Sequence, residues 1–175
     1  MNKMARYSLA SPGPLKRVWP VLVLGWLLAP LTGWPPAGLN WAAWRPDWPL
    51  ILTIWLSFRT ESPVAFLGAF LLGLGFGYLT IAPPGLFSLK LLVGVLILRL
   101  IAYKLDVRGA FLVLITLLLS LLLNLVLEPW LLELGGLTLP TVLAAPLVAR
   151  TALVTALAVI PSLAILDRFF RPKTT

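Results

Sequence analysis

The chain has 175 residues, of which 60% are hydrophobic and 11% charged, with a mean hydropathy of +0.99 and a formal net charge of +8. Soluble domains are about 45–50% apolar, so a water-soluble fold of this length has nowhere to hide the excess, and the chain reads as an integral membrane protein. It contains neither cysteine nor histidine, which excludes a disulfide framework, thiolate metal sites and Cys or His catalysis.

No stretch alternates polar and apolar residues with period two, so the spans are helices and not the strands of a barrel. The first apolar run, 18–32, follows Lys3, Arg6, Lys16 and Arg17. A basic segment ahead of an apolar one has the form of a signal peptide; the expectation here is a retained first span over 17–33, closed by Pro35 and Pro36. The second run, 48–58, has eleven residues. These reach only about 17 Å against roughly 30 Å of hydrocarbon. A span at 47–59 must therefore extend, tilt or sit where the bilayer is thin. It opens on Trp44, Arg45, Pro46, Asp47 and Trp48. The tryptophans suit the headgroup level, Pro46 and Pro49 stiffen the approach, and Asp47 is placed to cap the helix. In the turn that follows, Ser62 is placed to cap a third span at 63–82, with Pro63 in its first position. Further spans are expected at 86–103, at 109–127 ending on Glu128-Pro129-Trp130, and at 145–166 with a kink at Pro161.

Six spans make one all-α polytopic membrane domain over 1–175 and put both termini on one face. Lys3, Arg6, Lys16, Arg17, Arg59, Arg99, Lys104, Arg108, Arg168, Arg171 and Lys173 gather there, eleven of the fourteen basic residues. The excess of Lys and Arg in cytoplasmic loops puts that face in the cytoplasm. Orientation and anionic membrane lipid account for the positive charge without nucleic acid.

Two patterns stand out within the spans. Ala65, Ala69, Gly73 and Gly77 recur every fourth residue, a small-residue face that lets another helix approach closely. That helix belongs either to the chain itself or to a partner. Thr116, Ser120, Asn124 and Glu128 also recur every fourth residue. Polar groups within a span face the bundle interior or a cavity, so the stripe either bonds neighbouring helices or lines a pocket open to the outside. Lys90 and Arg150 lie near outer helix ends, placed to pair with Glu128 or Glu133 or to snorkel to headgroups. A serine nucleophile would have only Lys90 as base, no paired intramembrane aspartates occur, and no Gly-rich loop carries a phosphate-binding lysine. The expectation is a protein with no enzymatic activity, metal or cofactor.

The entrance Trp44-Arg45-Pro46-Asp47-Trp48, the apolar run after it and the glycine-rich third span with Gly68 and Gly73 resemble the MreD family of rod-shape-determining proteins, over roughly 44–127. Where many members carry a carboxylate late in the third span this chain has Gly77, and where some carry one in the fifth it has Asn124. The resemblance implies a non-enzymatic subunit of the cell-elongation machinery in the bacterial cytoplasmic membrane. It implies MreC as partner and, through it, MreB, RodA and a class B penicillin-binding protein, in support of cell shape and lateral peptidoglycan synthesis. It also implies a fold shared with the S-components of energy-coupling-factor vitamin transporters. A homodimer is a further expectation. The competing expectation is a small-molecule, vitamin-like binding subunit of a transporter, with the polar stripe lining its pocket.

Overall fold

The computed structural model describes residues 14–33, 45–78, 85–104, 109–134 and 141–170. Every element in them is helical: α1 (Pro14–Gly33), α2 (Trp48–Arg59), α3 (Ser62–Tyr78), α4 (Leu86–Lys104), α5 (Gly109–Leu121), α6 (Glu128–Leu134) and α7 (Thr141–Phe170). A π-helical turn, Leu122–Leu127, joins α5 to α6 in one rod. Three stretches are long and apolar enough to cross a membrane: Leu86–Lys104, Gly109–Glu133 and Ala145–Phe170. Two shorter apolar stretches, Trp19–Leu28 and Ser62–Tyr78, accompany them. The chain is thus a helical membrane-type protein.

Helix α2 is the axis of the bundle. It packs against α1, α3, α4 and α7, and every residue from Pro49 to Ser57 is buried. It also divides the core. Leu52, Trp55 and Leu56 face Val21 and Leu22 of α1, Ala65, Ala69 and Leu72 of α3, and Leu91 and Val95 of α4. Leu50 and Ile54 face Leu98, Leu112, Ile115, Leu119, Leu123 and Val159. A helix apolar on every side is a buried helix. Protein on all sides removes the need to match the bilayer thickness, which resolves the shortfall in length.

The direction of α2 follows from two bonds to α7. The Asp47 N–H donates to Thr155 Oγ1, and Arg59 pairs with Asp167. Both pairs are 108 residues apart, so α2 and α7 lie side by side and point the same way. Thr155 is ten residues, about 15 Å, inside the apolar stretch that begins at Ala145. The entrance to α2 therefore lies alongside the middle of α7 and not level with its N-terminal end. A twelve-residue helix tied at both ends to a thirty-residue one cannot reach both of its ends.

Three boundaries also differ from expectation. The fifth helix does not stop at Glu128-Pro129: it continues to Leu134. A proline within a helix lacks one donor and collides with the carbonyl four residues back; the widened turn just before Pro129 absorbs that conflict. Ser62 is the first residue of α3 and Pro63 the second, and the first backbone bond runs from the Ala65 N–H to Glu61 O. The last helix contains both Pro146 and Pro161 and extends past 166 to Phe170.

Candidate functional site: a buried ion pair beside a widened helical turn

The polar stripe and Lys90 meet. Thr116 and Ser120 are fully buried, and the Thr116 hydroxyl donates back to Leu112 O at 2.8 Å. One turn on, the Asn124 amide donates to Ser120 O at 2.8 Å and Ser120 Oγ at 3.4 Å. Its carbonyl oxygen accepts from Lys90 Nζ at 2.7 Å. Lys90 also reaches Glu128 Oε2 at 2.6 Å and lies 5.4 Å from the Phe87 ring centroid, in cation–π range. The Lys90 side chain is 5% exposed and that of Glu128 28%. A buried ammonium is tolerated only with a counter-charge and hydrogen-bond acceptors, and the rod supplies both.

The π-helical turn sets this geometry. Its closing bond runs from the Glu128 N–H to Leu123 O, five residues back instead of four. Such turns are inserted into α-helices mostly as single wide turns and often at functional sites. Gly94 of α4 sits against Leu123, where an added Cβ would lie 3.3 Å from Cδ1. Between α4 and the rod runs a groove of about 170 Å³ lined by Val93, Leu122, Leu123, Val126, Leu127 and Trp130. Arg150, by contrast, is exposed and forms no ion pair with a described residue, so it does not join the cluster. Glu133 is likewise exposed.

The Ala65, Ala69, Gly73 and Gly77 face is internal. All four are buried, and α3 packs on α4, α2 and α1. A Cβ at Gly73 would lie 2.3 Å from Ser88 Cα and 2.4 Å from its N, so α3 and α4 approach backbone to backbone there. The Ser88 hydroxyl completes the contact by donating to Phe70 O at 3.0 Å. Of the two uses this face admitted, the chain's own packing takes it.

In the entrance motif, Trp44 lies outside the described residues. Asp47 caps α2: its Oδ1 accepts from the Leu50 N–H at 3.1 Å, and its own N–H goes to Thr155 Oγ1 at 2.7 Å. Pro46 O accepts from the Trp48 N–H at 3.0 Å. Pro49, inside the first turn, is placed where no N–H is needed. Arg45 and Trp48 are half-buried, and Arg45 is engaged by its surroundings.

The other end of α2 holds a second polar cluster that the sequence reading missed. Asp167 receives Arg59 and the Trp55 indole N–H, the latter at 3.1 Å. Trp55 also stacks edge-on against Phe170, at 5.8 Å between centroids. It is a buried strut and not a headgroup anchor. The Arg99 guanidinium donates to Thr60 O, just past the last turn of α2. One signal was available: Arg59 and Asp167 carry opposite charge and both fall at the basic face. Nothing in the sequence marks Thr155 as the mate of Asp47.

Among the described residues no group of three His, Asp or Glu side chains is arranged to hold a metal. Comparison with protein-family models, with curated proteins and with solved structures returns no match.

Proposed function

We propose that the chain is a multi-pass scaffold of the cell-elongation machinery, of the MreD kind, in the cytoplasmic membrane of a bacterium. In this reading it crosses the membrane six times with both termini in the cytoplasm. It carries out no catalysis and binds the membrane helix of MreC, through which it serves MreB, RodA and a class B penicillin-binding protein. The observation that supports the reading best is the work done by the entrance motif. Of the residues that carry the family resemblance, Asp47 starts α2 and holds it on α7. With the small-residue face used internally, the surface proposed for the partner helix is the outward stripe of α7, where Leu153, Leu157, Ile160 and Ile165 are exposed.

The transporter-subunit reading draws on the Lys90 cluster. Its polar groups, however, bond one another, and the adjacent groove of about 170 Å³ is apolar. Small-molecule sites usually enclose about 300–1,000 Å³ with a few converging polar groups. Affinity purification of the tagged chain from native membranes in mild detergent separates the two. Recovery of MreC supports the scaffold; recovery of an ATPase module with its coupling subunit overturns it.

A further inference from the structure

Lys90 and Asn124 are reactive partners as well as hydrogen-bonded ones. Nζ lies 2.7 Å from Asn124 Oδ1, and the amide carbon is one C=O bond, about 1.2 Å, beyond that oxygen. A primary amine is thus held within about 3.9 Å of a carboxamide carbon, near the roughly 3–3.5 Å of atoms poised to react. Glu128 Oε2 sits on the same nitrogen at 2.6 Å, within the reach of a general base. Nucleophile, electrophile and base therefore meet at one nitrogen. It is shielded from water, the Lys90 side chain being 5% exposed.

The surroundings orient the amide. Asn124 Nδ2 donates to Ser120 O at 2.8 Å and to Ser120 Oγ at 3.4 Å, and Ser120 is fully buried. With Nδ2 turned to Ser120, the carbonyl is left to face Lys90. Of the two groups on Nζ, Asn124 is the electrophile. The carbon of the Glu128 carboxylate is guarded by negative charge, whereas that of the neutral amide is not. A buried ammonium is also costly to keep, and an amide in its place carries no charge.

We propose that Lys90 and Asn124 join in an intramolecular isopeptide bond, Nζ to Cγ, with Glu128 as the proton acceptor. Glu128 takes one proton from the ammonium and frees its lone pair. Nζ then attacks Cγ, and the carbonyl electron pair moves to Oδ1. As the carbonyl re-forms, the bond from Cγ to Nδ2 breaks, and that nitrogen leaves as ammonia with a second lysine proton. Lys90 loses two protons, one to Glu128 and one to ammonia, so atoms and charge balance with no further reactant. The reaction occurs once per chain and ties α4 to the π-helical turn. An unactivated carboxamide reacts slowly, so the ion pair comes first and the linked form accumulates with time. The bond needs no protein partner and is independent of the scaffold reading.

Mass spectrometry of the purified full chain, incubated in detergent and sampled over time, tests the proposal. The intact mass should fall by one ammonia. Trypsin should then stop cutting after Lys90 and release peptide 60–99 joined to peptide 109–150, with fragment ions placing the link between Lys90 and Asn124. Glu128→Gln should abolish the linked peptide. Glu128→Asp, which keeps a carboxylate but shortens its reach, should slow its appearance. The unaltered chain decides the matter whether or not these variants fold. An intact mass unchanged after prolonged incubation overturns the proposal. So does a loss of ammonia with Lys90 still fully cut by trypsin, which is succinimide formation at an asparagine. A loss of water with the link on Glu128 overturns it as well.

Discussion

Lys90 shows how much one side chain demands of its neighbours. An ammonium held at 5% exposure among apolar helices has lost nearly all its water, and its desolvation is offset by Glu128, by Asn124 and by the Phe87 ring. Removing one partner of such a pair is far costlier than removing both, because the survivor is left as an uncompensated charge. Glu128→Ala should therefore lower stability by about 3 kcal/mol, read as a fall in the thermal unfolding midpoint in detergent. Adding Lys90→Met to that variant should restore a large part of the loss. Losses that simply add in the double variant would mean that the two groups are not coupled. Asn124 belongs to the same logic: it serves Lys90 as a neutral acceptor.

Among the elements, α2 and α3 carry the architecture for opposite reasons. Helix α2 is held by its ends, through Asp47 on Thr155 and Arg59 on Asp167. Helix α3 is held along its length, by small residues that let α4 come close. The closeness is uneven, which makes it testable. At Gly73 an added methyl meets backbone atoms of Ser88 at 2.3–2.4 Å, so α3 and α4 would have to separate. At Gly77 the nearest atom is Gly85 N at 4.0 Å, ordinary van der Waals contact. Gly73→Ala should lower the unfolding midpoint sharply, overpacking typically costing about 1–3 kcal/mol, while Gly77→Ala should leave it within about 0.5 kcal/mol. Equal effects at the two positions would contradict the packing described. The π-helical turn is a third kind of device: it carries the rod past Pro129, places Asn124 on Lys90 and opens the groove.

For the whole molecule, the distribution of charge and the internal geometry can be checked against each other. Arg59, Arg99 and Asp167 gather around the C-terminal end of α2, and Lys90 and Glu128 lie at the start of α4 and the end of the rod. If the first group faces the cytoplasm, single cysteines in the otherwise cysteine-free chain report it. Glu61→Cys, exposed just after α2, should be labelled by a membrane-impermeant maleimide only in inside-out vesicles. Glu133→Cys, exposed in α6, should be labelled only in right-side-out cells. Labelling of both from one side would overturn the six-span arrangement.

Much of the helical framework was legible in the chain itself, because runs of apolar residues broken by proline, glycine and charge need no tertiary information to become helices in a low-dielectric medium. The cap at Asp47 and the inward turn of Thr116, Ser120 and Asn124 were legible for the same local reason: side-chain spacing along a helix fixes which groups share a face. Tertiary structure alone decided which neighbour each face met. The spacing of Ala65, Ala69, Gly73 and Gly77 is compatible with any close helix, and only the path of the chain assigned it to α1, α2 and α4. The tie of the short second helix to Thr155 and the pairing of Asp167 with Arg59 each join residues 108 positions apart, which no local pattern relates. The continuation through Glu128-Pro129 turned on one wide turn of backbone, which packs against α4 and α7.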